Sequence, residues 1–169
     1  MNSRKQKLTL GVFLTMFLVA VDQITKYLAF VFLSGKNGFE VIPGILELFY
    51  LENRGAAFGI FADRQWFFIC IALIMILAAA FIYSRTPQEK AYRLLRSICI
   101  LIIAGALGNM IDRIVHHFVI DFLYLSVIDF QVFNIADCYI CIGAALALLA
   151  LFTVYKDESF AFLKNNHMD

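Results

Sequence analysis

Four long apolar stretches organise the chain, at residues 8–33, 66–83, 94–115 and 134–155. A helix of about 20 residues crosses some 30 Å of hydrocarbon, and each stretch is long enough or nearly so. Lipid offers backbone amides and carbonyls no partners, so all four are expected to be helices. The first is interrupted by Asp22, Gln23 and Lys26. Its basic start and its apolar run to Val21 have the outline of a cleavable leader. The apolar pattern resumes after Lys26, however, and no small-x-small site precedes Asp22. It therefore reads as a retained span.

Two stretches between the spans are too polar to cross a membrane and too apolar for free loops, at residues 38–63 and 117–133. Within the first, residues 45–51 (ILELFYL) are β-prone and partly alternating, and Pro43-Gly44 marks a turn before them. The second is β-branched and aromatic. Together they predict a small sheet at the outer membrane surface. The expected fold is an all-α membrane protein, four transmembrane helices with a small extracytoplasmic β-structure, forming one domain over residues 1–169.

Composition agrees with this reading and adds an orientation. The 169 residues are 62% hydrophobic, well above the 45–50% of soluble domains. Nine of the fourteen Lys and Arg lie in the N-terminal segment, the second-to-third connection and the C-terminal tail. By the positive-inside rule both termini are cytoplasmic. Nine of the thirteen acids fall on or near the other side, among them Asp22, Asp112, Asp121 and Asp137. No long basic run exists, so a nucleic-acid partner is not expected. Cys138 and Cys141 form a CxxC without a second ligand pair, inside an apolar segment. They read, with Cys70 and Cys99, as packing residues.

Ionisable groups inside spans are costly and are functional candidates unless they pair. Asp22 and Lys26 lie one helical turn apart, the spacing of an internal ion pair. Asn109, Asp112 and Arg113 share one face of the third span and form a polar network at its outer end; Asp112–Arg113 also reads as a structural pair. Ala104, Gly105 and Gly108 precede them and permit close helix approach. At the entry to the fourth span, Asn134 suits an N-cap and Asp137 the positive helix end. Asp121 stands apart. Its neighbours Val119, Ile120 and Phe122 are apolar and no basic residue is close in sequence, so burial would raise its pKa and a second carboxylate would raise it further. Two carboxylates sharing a proton can activate water and protonate a leaving amine. No serine has a Lys or His arranged to make it a nucleophile. The adjacent His116 and His117 point to different helix faces, which disfavours a two-His metal site.

Read together, VDQITK (21–26), NRGAAF (53–58), GALGNMIDR (105–113), VIDF (119–122) and FNIAD (133–137) strongly resemble, in order and spacing, the bacterial lipoprotein signal peptidase (type II signal peptidase) family. The resemblance spans about residues 10–155. It implies an aspartic endopeptidase of the bacterial inner membrane that removes the signal peptide from diacylglyceryl-modified prolipoproteins, cutting on the N-terminal side of the lipidated cysteine. It implies a catalytic pair of Asp121 and Asp137. Asp22, Lys26, Asn53, Gly55, Asn109, Asp112, Arg113 and Asn134 would be supporting or substrate-binding residues. It also implies a periplasmic β-cradle, a periplasm-facing active site, membrane lipids as surroundings, and inhibition by the cyclic peptide globomycin. No metal or cofactor is expected. Phe58 and the outer strands would form a lid or cradle over the peptide. Two other readings of the intramembrane acids stay open from residues alone: a small transporter or channel with a proton relay, and an assembly subunit in which the acids only glue helices.

Overall fold

The computed structural model describes residues 3–55, 64–155 and 162. Four helices dominate it: α1 (Ser3–Leu33), α2 (Gln65–Arg85), α3 (Arg93–Val115) and α4 (Ile135–Thr153). Each is long and apolar enough to cross a membrane. Their bounds fall within a few residues of those expected from hydropathy. The bundle is built around α3, which packs against all three other helices. Large apolar side chains line the outside: Phe17, Phe32, Ile74, Leu77, Leu148 and Phe152 are all more than half exposed. Such a surface is a liability in water and the expected one against lipid tails.

The interior of the bundle is built from small residues. Ala104, Gly105, Ala106 and Gly108 of α3 are all buried. A Cβ on Gly105 would overlap the Ala136 carbonyl oxygen and the Ile140 side chain of α4. One on Gly108 would stand 2.5 Å from Asp22 Oδ2. Without Cβ atoms here, α3 approaches α4 and the Asp22 carboxylate of α1 closely.

A three-stranded antiparallel sheet occupies one end of the bundle, in the order β1 (Phe39–Ile42), β2 (Leu46–Asn53), β3 (Val119–Tyr124). The turn between β1 and β2 passes through Gly44 at φ 67°, a conformation glycine adopts at no steric cost. The Pro43-Gly44 signal thus marks a hairpin, and β1 is a strand the β-prone run at 45–51 did not reveal. β3 joins the sheet to the bundle: Ile120 and Phe122 pack with Ala29 of α1 in one apolar cluster. In the β2–β3 register Asp121 lies opposite Leu51 and Val119 opposite Asn53. That register brings the ends of β2 and β3 to the mouth of the bundle, where α4 begins.

Candidate active site

Asp121 and Asp137 come from different elements, and asparagine side chains bind the two into one network. Asp121, on β3, is 1% exposed. Its Oδ1 accepts from Asn134 Nδ2 at 2.6 Å and its Oδ2 from Asn53 Nδ2 at 2.8 Å. Asp137 lies in the first turn of α4, where the exposed amide ends favour negative charge. Its Oδ1 accepts from Asn109 Nδ2 at 2.7 Å, and its Oδ2 from the Asn134 backbone N–H at 3.1 Å. Asn134 in turn caps α4 by accepting from the Asp137 N–H at 3.0 Å, a reciprocal capping box. The N-cap expected from sequence is therefore present, and its free amide nitrogen serves Asp121.

Each asparagine is oriented by a donor on its oxygen, which leaves its nitrogen to face a carboxylate. Asn53 Oδ1 accepts from the Gly55 N–H at 3.0 Å. Asn134 Oδ1 accepts from Asp137 N, as above. Asn109 Oδ1 accepts from Lys26 Nζ at 2.9 Å and from Asn134 Nδ2 at 3.2 Å.

Lys26 is the centre of a second, deeper layer. Its ammonium, in a side chain 2% exposed, lies 3.0 Å from both Asp22 Oδ2 and Asp112 Oδ2. Those acids do more than neutralise it. Asp22 Oδ1 accepts from the Ala136 backbone N–H at 2.9 Å, and Asp112 Oδ2 from the Ile120 N–H at 3.1 Å. Each grips the backbone one residue before a candidate carboxylate, Ala136 before Asp137 and Ile120 before Asp121. Gln23 closes the layer, its Nε2 donating to Asp112 Oδ1 at 2.9 Å and to Asp22 Oδ2 at 3.2 Å.

The Asp22–Lys26 pair expected from i,i+4 spacing is present. Asp112 differs from expectation: among the described residues its ion-pair partner is Lys26, not the adjacent Arg113. Neighbours in a helix point about 100° apart, and Asp112 turns inward. Arg113 instead lies over the Phe68 ring at 4.9 Å and donates to the Asn109 carbonyl at 3.4 Å. From there its charge acts on Asp137 and Asp121. His116 stacks on Phe118 and His117 meets Gln65, so the two imidazoles part company. All four cysteines are free thiols. Gln23 was missed as a site residue. Its place in VDQITK, next to the ionisable pair, was the available signal. Phe58 lies outside the described residues.

Burial sets the electrostatics of Asp121. Loss of water raises its pKa first, the nearby Asp137 charge raises it further, and the Asn53 and Asn134 bonds oppose both, leaving it at about 7. A carboxyl titrating near neutrality beside a second carboxyl is the arrangement of an acid–base pair that handles water and an amide.

Comparison with known proteins gives the family and the fold. Residues 14–153 match the family described as signal peptidase (SPase) II. A lipoprotein signal peptidase of Streptococcus pyogenes serotype M1 is 38% identical over 143 residues, 85% of this chain and 91% of that protein. One from serotype M5 (strain Manfredo) is equally similar. Two solved structures described as bacterial membrane enzymes, obtained in meso at 2.3 and 1.9 Å, superpose with TM-scores of 0.75 and 0.74. They are 33% and 34% identical and cover 88% and 87% of this chain, which covers 93% and 95% of theirs. With the family matched over most of its length, this chain belongs to the signal peptidase II family.

Proposed function

We propose that this chain is an aspartic endopeptidase that removes the signal peptide from lipid-modified prolipoproteins, with Asp121 and Asp137 as its catalytic pair. The observation that carries the reading is the meeting of two carboxyls from β3 and α4 through Asn134, one of them buried and held near neutrality. In this reaction Asp121 carries the shared proton and Asp137 is the base. Asp137 takes a proton from water as the water oxygen bonds to the scissile carbonyl carbon, and Asp121 protonates the carbonyl oxygen. The tetrahedral diol then collapses. Asp121 recovers its proton from a hydroxyl, Asp137 gives its proton to the leaving nitrogen, and the C–N bond breaks. The pair returns to its starting state with no cofactor consumed.

The remaining residues position these two. Asn53, oriented by Gly55, and Asn134 hold Asp121; Asn109 and the start of α4 hold Asp137. Arg113, whose charge already acts on both carboxyls, stabilises the developing oxyanion or the substrate backbone. Lys26, Asp22 and Asp112 fix the backbone on which each carboxyl stands.

Placed in a bilayer, the site lies at the end of the bundle that carries the sheet, and the positive-inside bias puts that end outside the cytoplasm, with both termini inside. The chain is then a multi-pass protein of the bacterial inner membrane. Substrate lipid chains lie against the apolar helix faces and the peptide crosses the strands, the site at which globomycin competes. The whole of residues 1–169 acts as one domain.

The test is a gel-shift assay with purified protein. It should cleave a diacylglyceryl-modified prolipoprotein and leave the unmodified precursor intact. Ion or solute flux in liposomes with no cleavage would favour the transporter reading instead. Neither cleavage nor flux would leave the acids as helix glue.

A further inference from the structure

The end of the bundle away from the sheet carries a feature that peptide cleavage does not use. Residues 1–7 and 85–96 contain seven Lys or Arg and one acid, Glu89. Lys7 stands within this charge, its ammonium donating to the carbonyls of Thr86 at 2.7 Å, Ser84 at 3.3 Å and Tyr83 at 3.4 Å. Arg96 donates to the carbonyls of Pro87 and Glu89. Both cations are thus held by neutral groups, and the charges of Arg96 and Arg4 act on Lys7.

Beside this cluster, α1, α2 and α3 enclose an apolar cavity of about 420 Å³, lined by Leu8, Gly11, Met16, Ala80, Ile103 and Leu107 among others. Tyr83 and Ser84 also line it, and their carbonyls receive the Lys7 ammonium, so the cation marks one edge. Val12 and Met16, also in the lining, are 64% and 58% exposed, which opens the cavity towards lipid. A neutral lipid or an apolar helix would fill the groove but offer no counter-charge to Lys7 and Arg96, which among the described residues donate hydrogen bonds to carbonyls alone. An acyl chain with an anionic head does both, and basic pockets between membrane helices recognise such lipids.

We propose that this groove binds an anionic phospholipid, one acyl chain between α1, α2 and α3 and the phosphate against the Lys7–Arg96 charge. This site is separate from the carboxyl pair, so its test does not depend on cleavage. Delipidated full-length protein is titrated with dioleoylphosphatidylglycerol or dioleoylphosphatidylcholine, and retained lipid is counted by native mass spectrometry. The anionic lipid should bind at least ten-fold better. Lys7→Gln and Arg96→Gln should each lower that preference by about five-fold, the value of one surface charge. Should either of those variants fail to fold, the comparison of the two lipids on the unaltered protein and the Ala80→Phe variant still decide the matter. Ala80→Phe, at an exposed lining position, should reduce retention of both lipids. Equal retention of the two lipids, retention indifferent to Ala80→Phe, or a co-purifying protein in place of lipid would each overturn the proposal.

Discussion

Replacing Lys26 with Met removes the cation that two buried carboxylates share. The lysine is 1% exposed, Asp22 is 0% and Asp112 is 1%, so water cannot take its place. Two ion pairs at 3.0 Å and a bond to Asn109 at 2.9 Å are lost together. Breaking one buried pair by removing a single partner costs about 3–5 kcal/mol, because the partner is left charged and unpaired. Two carboxylates are left here, yet each keeps a backbone donor and Gln23, so the loss should stay near that range. The design of the test rests on a second variant. Lys26→Met combined with Asp22→Asn and Asp112→Asn has no buried charge in this layer, and should recover about 2 kcal/mol or more of the loss. Reversible unfolding in mixed detergent micelles measures both. A single variant within about 1 kcal/mol of wild type, or a triple variant no better than the single one, would refute the claim that Lys26 acts by pairing these acids.

Other outcomes follow from the same geometry. Gly105→Ala sets a methyl against the Ala136 carbonyl and Ile140; it should cost about 1–3 kcal/mol in the same unfolding assay and lower cleavage by shifting the start of α4. Asn134→Ala removes the cap and the amide on Asp121; it should lose about 1 kcal/mol or more from the cap alone, with kcat reduced more than KM. The raised pKa of Asp121 makes stability pH-dependent: the folded protein keeps a proton that the unfolded chain releases between 3.8 and about 7. Its contribution is therefore fully present below 3.8 and is lost as pH rises towards 7, a slope that Asp121→Asn should flatten in unfolding measured across that window.

The spans were legible because hydropathy over 20 residues is a strong signal and the backbone in lipid has few alternatives. The α4 cap was legible because Asn134 and Asp137 have the spacing of a local motif. What sequence hid depends on backbone groups brought together from afar. Nothing in Asp22 announces the Ala136 N–H, 114 residues away, and nothing in Asp112 announces the Ile120 N–H, which β3 supplies only after the chain reverses at His117 (φ 67°). Arg113 misled as a partner for Asp112 because adjacency in sequence is not adjacency on a helix. β1 was hidden for another reason: four exposed residues, FEVI, are too short to carry a period. The resemblance thus named the polar residues that meet at this end of the bundle, and which of them bonds to which was not legible.

The account stands on the shared work of two carboxyls, and side-chain amides in their place test it most directly. Asp121→Asn and Asp137→Asn keep the shape of each carboxyl and remove its ability to exchange a proton. Cleavage of a lipid-modified prolipoprotein should be measured with each variant shown by melting to be folded in the membrane-mimetic used. Loss of about 10²–10⁴-fold or more in both is the predicted result. Near-normal cleavage by either folded variant would contradict a pair that works by sharing one proton.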